Sequence, residues 1–147
     1  MNTVIQDSTT SNKSTANPRK GLSIALWISQ ILLAVMFGMA GFMKTTQPID
    51  QLSAMLPFVA QMPEGLVRFI GASELAGALG LILPAATRVL PMLTPLAATG
   101  LVVIMVLASC FHVSRGEISH LPVTIILGSL AAFVAWGRFA KVRILKK

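Results

Sequence analysis

A glutamate and an arginine lie within a stretch that is otherwise apolar enough to enter a lipid bilayer. The stretch runs from Arg68 to Leu83, and its one carboxylate is Glu74. An ionisable group within a membrane span costs roughly 2.5–3.5 kcal/mol on insertion scales, so it usually faces a partner group or a cavity. Glu74 is therefore the first candidate for chemistry, either as a titrating carboxylate or as half of a buried ion pair.

Arg68 is poorly placed to pair with Glu74 on the same helix. Six residues separate them, which is ~9 Å along a helix and ~120° around it. Arg68 can instead extend outward from the start of the helix. Glu74 then needs a partner from another helix, and two candidates end other apolar stretches. Lys44 closes the first stretch and His112 the third, so we expect Glu74 to lie within reach of one of them.

Composition indicates a membrane protein. The chain has 147 residues, of which 54% are hydrophobic and 12% charged, whereas a soluble domain is about 25% charged. The net charge of +7 does not indicate nucleic-acid binding, because the basic residues collect near the termini and do not interleave with aromatic residues. Cys110 is the only cysteine, which excludes an intrachain disulfide and a C-x-x-C pair. Electron chemistry would therefore need a bound cofactor or a partner.

Four apolar stretches are each long enough to cross a bilayer, which requires about 20 helical residues. They predict an all-α bundle of four membrane helices in a domain over residues 21–138. We expect Pro84 to end the second span and Thr94–Pro95 to begin the third as N-cap and first helical residue. Residues 1–20 should form a disordered polar tail, and residues 139–147 a basic cytoplasmic tail. The predicted spans cover residues of about 22–43, 66–83, 95–113 and 120–137.

The longest connection, residues 45–65, contains a second helical pattern. Apolar residues recur there at a spacing of three to four, which favours a short amphipathic helix lying at the membrane interface. Pro57 should kink or end this helix. The apolar positions are Ile49, Leu52, Leu56 and Val59.

Charge distribution predicts the topology. With both termini in the cytoplasm, nine Lys and Arg residues lie inside and three outside, as the positive-inside rule favours. Trp27 and Trp136 then share the cytoplasmic interface. We expect an N-in, C-in protein of the cell (inner) membrane. The nine are Lys13, Arg19, Lys20, Arg88, Arg138, Lys141, Arg143, Lys146 and Lys147, and the three are Lys44, Arg68 and Arg115.

In this topology the candidate residues Glu74, Lys44, His112 and Arg68 gather in the outer half of the bilayer. One interpretation is a polar pocket that opens outward, with Glu74 as its deepest charge. In the other interpretation the residues are structural: Lys44, Arg68 and His112 extend outward from helix ends, and Glu74 forms one internal salt bridge. The inner half is expected to be lined by Leu, Ile, Val and Ala, which argues against a polar path through a monomer. The chain has no predicted metal site, because its histidines match no ligand spacing on a helix face.

Three motifs resemble the DoxX-like family. They are Phe37-x-x-x-Gly41-x-x-Lys44, Gly71-x-x-Glu74-x-x-Gly77-x-x-Gly80, and the closing His112 of the third span. The resemblance covers about Leu22 to Arg138 and implies a four-helix integral membrane protein of the DoxX superfamily. The superfamily name derives from a subunit associated with quinone-linked oxidation, so the resemblance also hints at redox chemistry. Small residues permit close helix contacts, and the expected contact positions are Gly41, Gly71, Gly77 and Gly80.

Three functional hypotheses follow. The first is an accessory or small-molecule-binding subunit of a membrane redox or quinone-linked system, with the outer pocket contacting a quinone head group or a partner protein. The second is a small transporter or proton-passing protein that uses Glu74. The third is a structural assembly factor. No cofactor is evident in the sequence itself. A quinone is possible as a cofactor that a redox partner protein supplies. The chain is also a candidate for a homo-oligomer. No catalytic residue is assigned.

Overall fold

The computed structural model describes residues 18–145, and within this range it contains helices and short connections without a β-strand. The all-α prediction is confirmed. Four of the helices are long and apolar enough to span a membrane, and one is short. In chain order they are α1 (Pro18–Thr46), α2 (Ile49–Met55), α3 (Glu64–Thr87), α4 (Leu93–Ser114) and α5 (Leu121–Trp136). Residues 1–17, most of the predicted disordered tail, and residues 146–147 lie outside the described residues.

Several helix ends differ from the predicted ones. α1 already begins at Pro18, so residues 18–20 are helical; proline suits the first turn because its missing N–H has no helical acceptor there. α3 continues through Pro84 to Thr87, since membrane helices tolerate proline where neighbouring groups satisfy the freed backbone. α4 begins at Leu93, so Thr94 lies within the first turn and does not act as the cap.

The four long helices pack in a ring. α1 contacts α3, α3 contacts α4, α4 contacts α5, and α5 closes the bundle against α1. The outward faces are rich in exposed apolar side chains such as Ile28, Leu79 and Ile126, as expected for helices in contact with lipid. The interior is formed by Leu33, Phe37, Ala78, Leu81, Ala98, Leu101, Met105, Ala131 and Val134.

The bundle has two ends with different contents. The terminal end contains the start of α1, the 88–92 connection and residues 137–145; residues of the last two parts line a common cleft. The distal end contains the 47–63 and 115–120 connections. α2 and the following 3-10 turn (Pro57–Gln61) lie at this distal end, with Leu52 and Val59 buried. The predicted amphipathic segment is therefore present, and α2 ends just before Pro57.

Candidate functional site: two buried polar centres

Glu74 forms a buried ion pair with Lys44. The Lys44 Nζ donates to both carboxylate oxygens, at 2.8 Å to Oε1 and 2.7 Å to Oε2. The two side chains are only 10% and 4% exposed. Of the two partners that the sequence suggested, the structure brings Lys44 to Glu74. The pair joins α1 to α3 near the distal end of the bundle.

Two glycines allow α1 and α3 to approach closely beside this pair. Gly41 lies three residues before Lys44, and Gly71 lies three residues before Glu74. A Cβ atom on Gly41 would lie 2.6 Å from the Gly71 carbonyl oxygen, and one on Gly71 would lie 2.6 Å from Lys44 Cβ. Such distances are too short for any larger residue without movement of the backbone. The glycines thus set the helix separation at which the ammonium reaches the carboxylate.

The other two predicted contact glycines position α3 against α4. A Cβ on Gly77 would lie 2.6 Å from a methyl carbon of Leu101, and one on Gly80 would lie 2.7 Å from the Cβ of Ala97. α3 therefore presents glycine to α1 on one side and to α4 on another. This close packing fixes the helix that carries Glu74.

Arg68 binds the end of α1 and does not contact Glu74. Its Nη1 donates to the carbonyl oxygens of Lys44 and Gln47, each at 2.8 Å. The Lys44 carbonyl lacks its usual helical donor because the residue four positions later is Pro48, which has no N–H. The remaining guanidinium nitrogens Nε and Nη2 bond to Glu64 Oε1 at 3.3 and 3.1 Å. Arg68 is therefore a cap that holds the Lys44 segment in place.

The Lys44–Glu74 centre retains unused hydrogen-bonding capacity. An ammonium group has three N–H donors, and Glu74 accepts from only two of them. At the same end of the bundle, the side-chain oxygen Oε1 of Gln47 is buried without a hydrogen-bond partner. Gln47 follows Lys44 by three residues, and both backbone carbonyls bind the same Arg68 Nη1. The distal end thus has one donor, on Lys44, and one acceptor, on Gln47, that the described residues leave unused.

His112 belongs to a separate cluster at the distal end. Its Nδ1 lies 2.8 Å from Glu117 Oε2, and Arg115 Nε donates to the other oxygen of Glu117 at 3.1 Å. The His112 ring stacks on the His120 ring with 4.9 Å between the ring centroids. The Phe58 ring meets the His112 ring edge-on, with 5.7 Å between the centroids. The hydrogen bond with His112, followed by that from Arg115, holds the pKa of the Glu117 carboxyl below its ordinary value. Among residues 18–145, no group of three His, Cys, Asp or Glu side chains could hold a metal ion.

A second polar centre lies toward the terminal end, where the sequence had suggested only apolar residues. Gln30 is fully buried; its Nε2 donates to the Leu81 carbonyl at 2.6 Å, and its Oε1 accepts from Arg138 Nε at 2.7 Å. Arg138 is itself 4% exposed. Its guanidinium lies over the Trp27 ring, 5.4 Å from the centroid. The expectation of an apolar inner half was therefore wrong.

Local sequence explains how this second centre forms. A Cβ on Gly137 would overlap the side chain of Leu26, so glycine is needed where the end of α5 meets α1. Arg138 follows directly and is carried inward by a short π-helical turn, Gly137–Lys141. The signal available in the sequence was Gln30, an amide in the middle of an otherwise apolar span, because buried amides require partners.

The two centres are separated by a closed apolar layer. Gln30 and Lys44 are fourteen residues apart on α1, which corresponds to ~21 Å along the helix. Between them lie Leu33 and Phe37, which are 0% and 2% exposed and pack with Leu101 of α4 and other core residues. Polar groups therefore occupy both ends of the bundle, with hydrocarbon between them.

The ring of four long apolar helices with ionisable groups buried between them defines an integral, multi-pass membrane protein. The chain belongs to the DoxX-like family, whose family model matches residues 28–134. Comparisons with curated proteins and with solved structures give no match. The matched range includes Lys44, Glu74 and Gln30, and Arg138 lies four residues beyond its end. Fold and family together establish a membrane protein of unestablished activity.

Proposed function

We propose that this protein is an accessory subunit of a quinone-linked redox system, and that its distal centre binds a quinone or quinol head group. The observations that support this are the unpartnered Gln47 Oε1, three residues after Lys44 in the chain, and the one ammonium donor of Lys44 that Glu74 leaves unused. A quinone carbonyl is an acceptor that suits Lys44. A quinol hydroxyl is a donor that suits Gln47. One site can therefore accommodate both redox states.

Glu74 has a positioning role in this proposal. Its bidentate contact holds the Lys44 ammonium in place inside the bundle, where an unpaired cation would be costly. The family resemblance adds a hint of quinone-linked oxidation. The apolar layer around Leu33 and Phe37 favours a binding role over transport, because a solute or proton path would need polar groups through that layer.

Charge distribution supports an orientation with the termini in the cytoplasm and the distal end outside. Cysteines placed at Gln51 and Arg88, in a Cys110→Ala background, should react with an impermeant thiol reagent from opposite sides of the membrane. Reaction of both from the same side would contradict the arrangement. Among the described residues, the terminal end has Arg19, Lys20, Arg88, Arg138, Lys141 and Arg143, and the distal end has Lys44, Arg68 and Arg115.

The quinone proposal is tested by purification of the full chain from native membranes in a mild detergent. Bound quinone is extracted and measured per mole of protein, and copurifying redox proteins are identified. We expect quinone with the wild-type protein, and its loss in Gln47→Leu. The matched control is Gln51→Leu, which removes the same group from an exposed position on α2 and should retain quinone.

Three results would contradict the proposal. Absence of quinone and of any redox protein from the wild-type preparation would leave only an assembly role. Proton flux in liposomes that Glu74→Gln abolishes would instead favour the proton-passing hypothesis. Equal quinone loss in Gln47→Leu and Gln51→Leu would place any bound quinone away from the distal centre.

A further inference from the structure

Acidic residues are absent from the terminal end of the bundle in the part of the chain that the structure describes. All four carboxylates within residues 18–145 belong to the distal half, whereas the terminal end carries six Lys and Arg side chains. No protein carboxylate in this range is therefore placed to neutralise that end. The four acids are Asp50, Glu64, Glu74 and Glu117.

Arg138 is the buried member of this basic group. Although it is only 4% exposed, its side-chain hydrogen bond is to the neutral Gln30 amide. Its Nη2 is buried and has no hydrogen-bond partner. Buried charges are normally paired with an opposite charge, because leaving one uncompensated is expensive. The site thus contains a fixed cation with a free donor and without an anion among residues 18–145.

Arg138 lines a cleft of about 170 Å³ at the terminal end. Arg143 lines the same cleft, as do Met92 and Pro95 at the beginning of α4. The start of this 22-residue helix adds the partial positive charge of its dipole. Thr94, next to Pro95 in the chain, is fully buried, and its hydroxyl has no hydrogen-bond partner. Two arginines and a helix N-terminus therefore converge on one small cleft.

We propose that this cleft binds the phosphate group of a membrane phospholipid. Arginine presents a planar set of donors that suits phosphate. The cleft is smaller than the roughly 300–1,000 Å³ of pockets that enclose whole ligands, so it accommodates a head group while the acyl chains stay outside. Met92 and Leu93 beside it are 61% and 45% exposed, which gives those chains an apolar surface that a free phosphate ion would not need.

Trp27 provides a local readout, because its ring lies directly under the Arg138 guanidinium. The chain has two tryptophans, so a Trp136→Phe variant of the full-length protein leaves Trp27 as the only indole. This protein is titrated in maltoside micelles with dioleoylphosphatidylglycerol, with dioleoylglycerol or with inorganic phosphate. We expect a saturable change in Trp27 emission with the phospholipid, and little change with the diglyceride or with phosphate at the same concentrations.

Arg143 is the primary position for substitution, since Arg138→Gln removes a buried group and can unfold the bundle. Arg143 is exposed, and its Nε donates only to the Phe139 carbonyl of its own turn. Loss of one charge-assisted hydrogen bond should weaken phospholipid binding by about tenfold in Arg143→Gln. The matched control is Lys141→Gln, an exposed cation on the same segment that does not line this cleft, and it should shift the midpoint less than about twofold.

Three results would overturn the proposal. The first is the absence of a saturable Trp27 response to the phospholipid. The second is an equal response to inorganic phosphate, which would indicate a site for the free ion. The third is an equal effect of the two substitutions, Arg143→Gln and Lys141→Gln, which would indicate diffuse attraction to a basic surface.

Discussion

The two polar centres of the bundle stabilise a buried cation in different ways. At the distal centre, Lys44 faces a full carboxylate that accepts two hydrogen bonds. Toward the terminal end, Arg138 faces the neutral amide of Gln30 and keeps an unpaired Nη2. The distal pair is compensated within the protein, whereas the terminal cation lacks an anion among the described residues. We infer that the first centre is mainly held by its own charges and the second depends on a group from the membrane.

Both centres depend on glycine at the point where two helices meet. Gly41 and Gly71 bring α1 to α3 beside Lys44, and Gly137 brings the end of α5 onto Leu26 beside Arg138. Without a strong hydrophobic force between helices in lipid, such close packing is a principal source of association. The polar contacts therefore form only where small residues have already brought the helices together.

The largest expected effect comes from filling the α1–α3 contact. In Gly71→Val the added Cβ would lie 2.6 Å from Lys44 Cβ and 3.0 Å from the Gly41 carbonyl oxygen, and neither backbone can move without separating the helices. We expect loss of monodisperse protein in size-exclusion chromatography. Gly100→Val is the control, because a Cβ at Gly100 has nothing within 4 Å. Equal yields of the two variants would show that the contact is not required.

The next effect tests whether the distal pair is compensated internally. Removing one member of a buried pair strands the other charge and costs about 3–5 kcal/mol, while removing both can be close to neutral. Glu74→Ala should therefore lower the free energy of unfolding in detergent strongly, and Lys44→Ala in the same chain should restore much of the loss. His112→Ala should restore nothing, since His112 pairs with Glu117. Strict additivity for Lys44 and Glu74 would contradict direct pairing.

A smaller effect is expected at the terminal centre, because its internal partner is neutral. Gln30→Leu leaves the buried Arg138 Nε without its acceptor, which should cost about 1–3 kcal/mol of unfolding free energy. Ser29→Ala is the control; Ser29 is also buried, but its hydroxyl bonds only to Ala25 of its own helix. If Gln30→Leu lowered the free energy of unfolding as much as Glu74→Ala does, the distinction between the two centres would not hold.

Much of the fold could be predicted from the sequence because span length and hydropathy are local properties. The four helices follow from apolar stretches long enough for a bilayer, and the need of Glu74 for a partner on another helix follows from its depth. Periodicity alone could not distinguish Lys44 from His112 as that partner. The choice depends on the Gly41–Gly71 contact and on the competing Glu117, which are properties of the packed bundle.

The terminal centre was missed because Arg138 was interpreted as one of several cations at a helix end. Cations at such positions usually extend into water, and the segment after Trp136 gives no local sign of turning inward. The inward position results from the π-helical turn and from Gly137 against Leu26. Gln30 was the clue in the sequence, since a buried amide in a membrane span needs partners for both its donor and its acceptor.

The smallest expected effect concerns the ion pairs of Glu117, a half-buried carboxylate in the 115–120 connection at the distal end. The pKa of Glu117 is lowered from 4.5 by hydrogen bonds from His112 and Arg115. The folded protein therefore binds fewer protons at this site than the unfolded chain, so the contribution to stability is complete above pH 4.5 and is lost as the pH falls through the lowered pKa. We expect the protection of the backbone amides of this connection from hydrogen exchange, followed by NMR between about pH 6 and about pH 3, to decrease as the pH falls through the lowered pKa of Glu117. Glu117→Gln should remove this pH dependence, whereas Asp50→Asn, at an exposed carboxylate on α2, should preserve it. A pH dependence that persists in Glu117→Gln would assign the titration to another group.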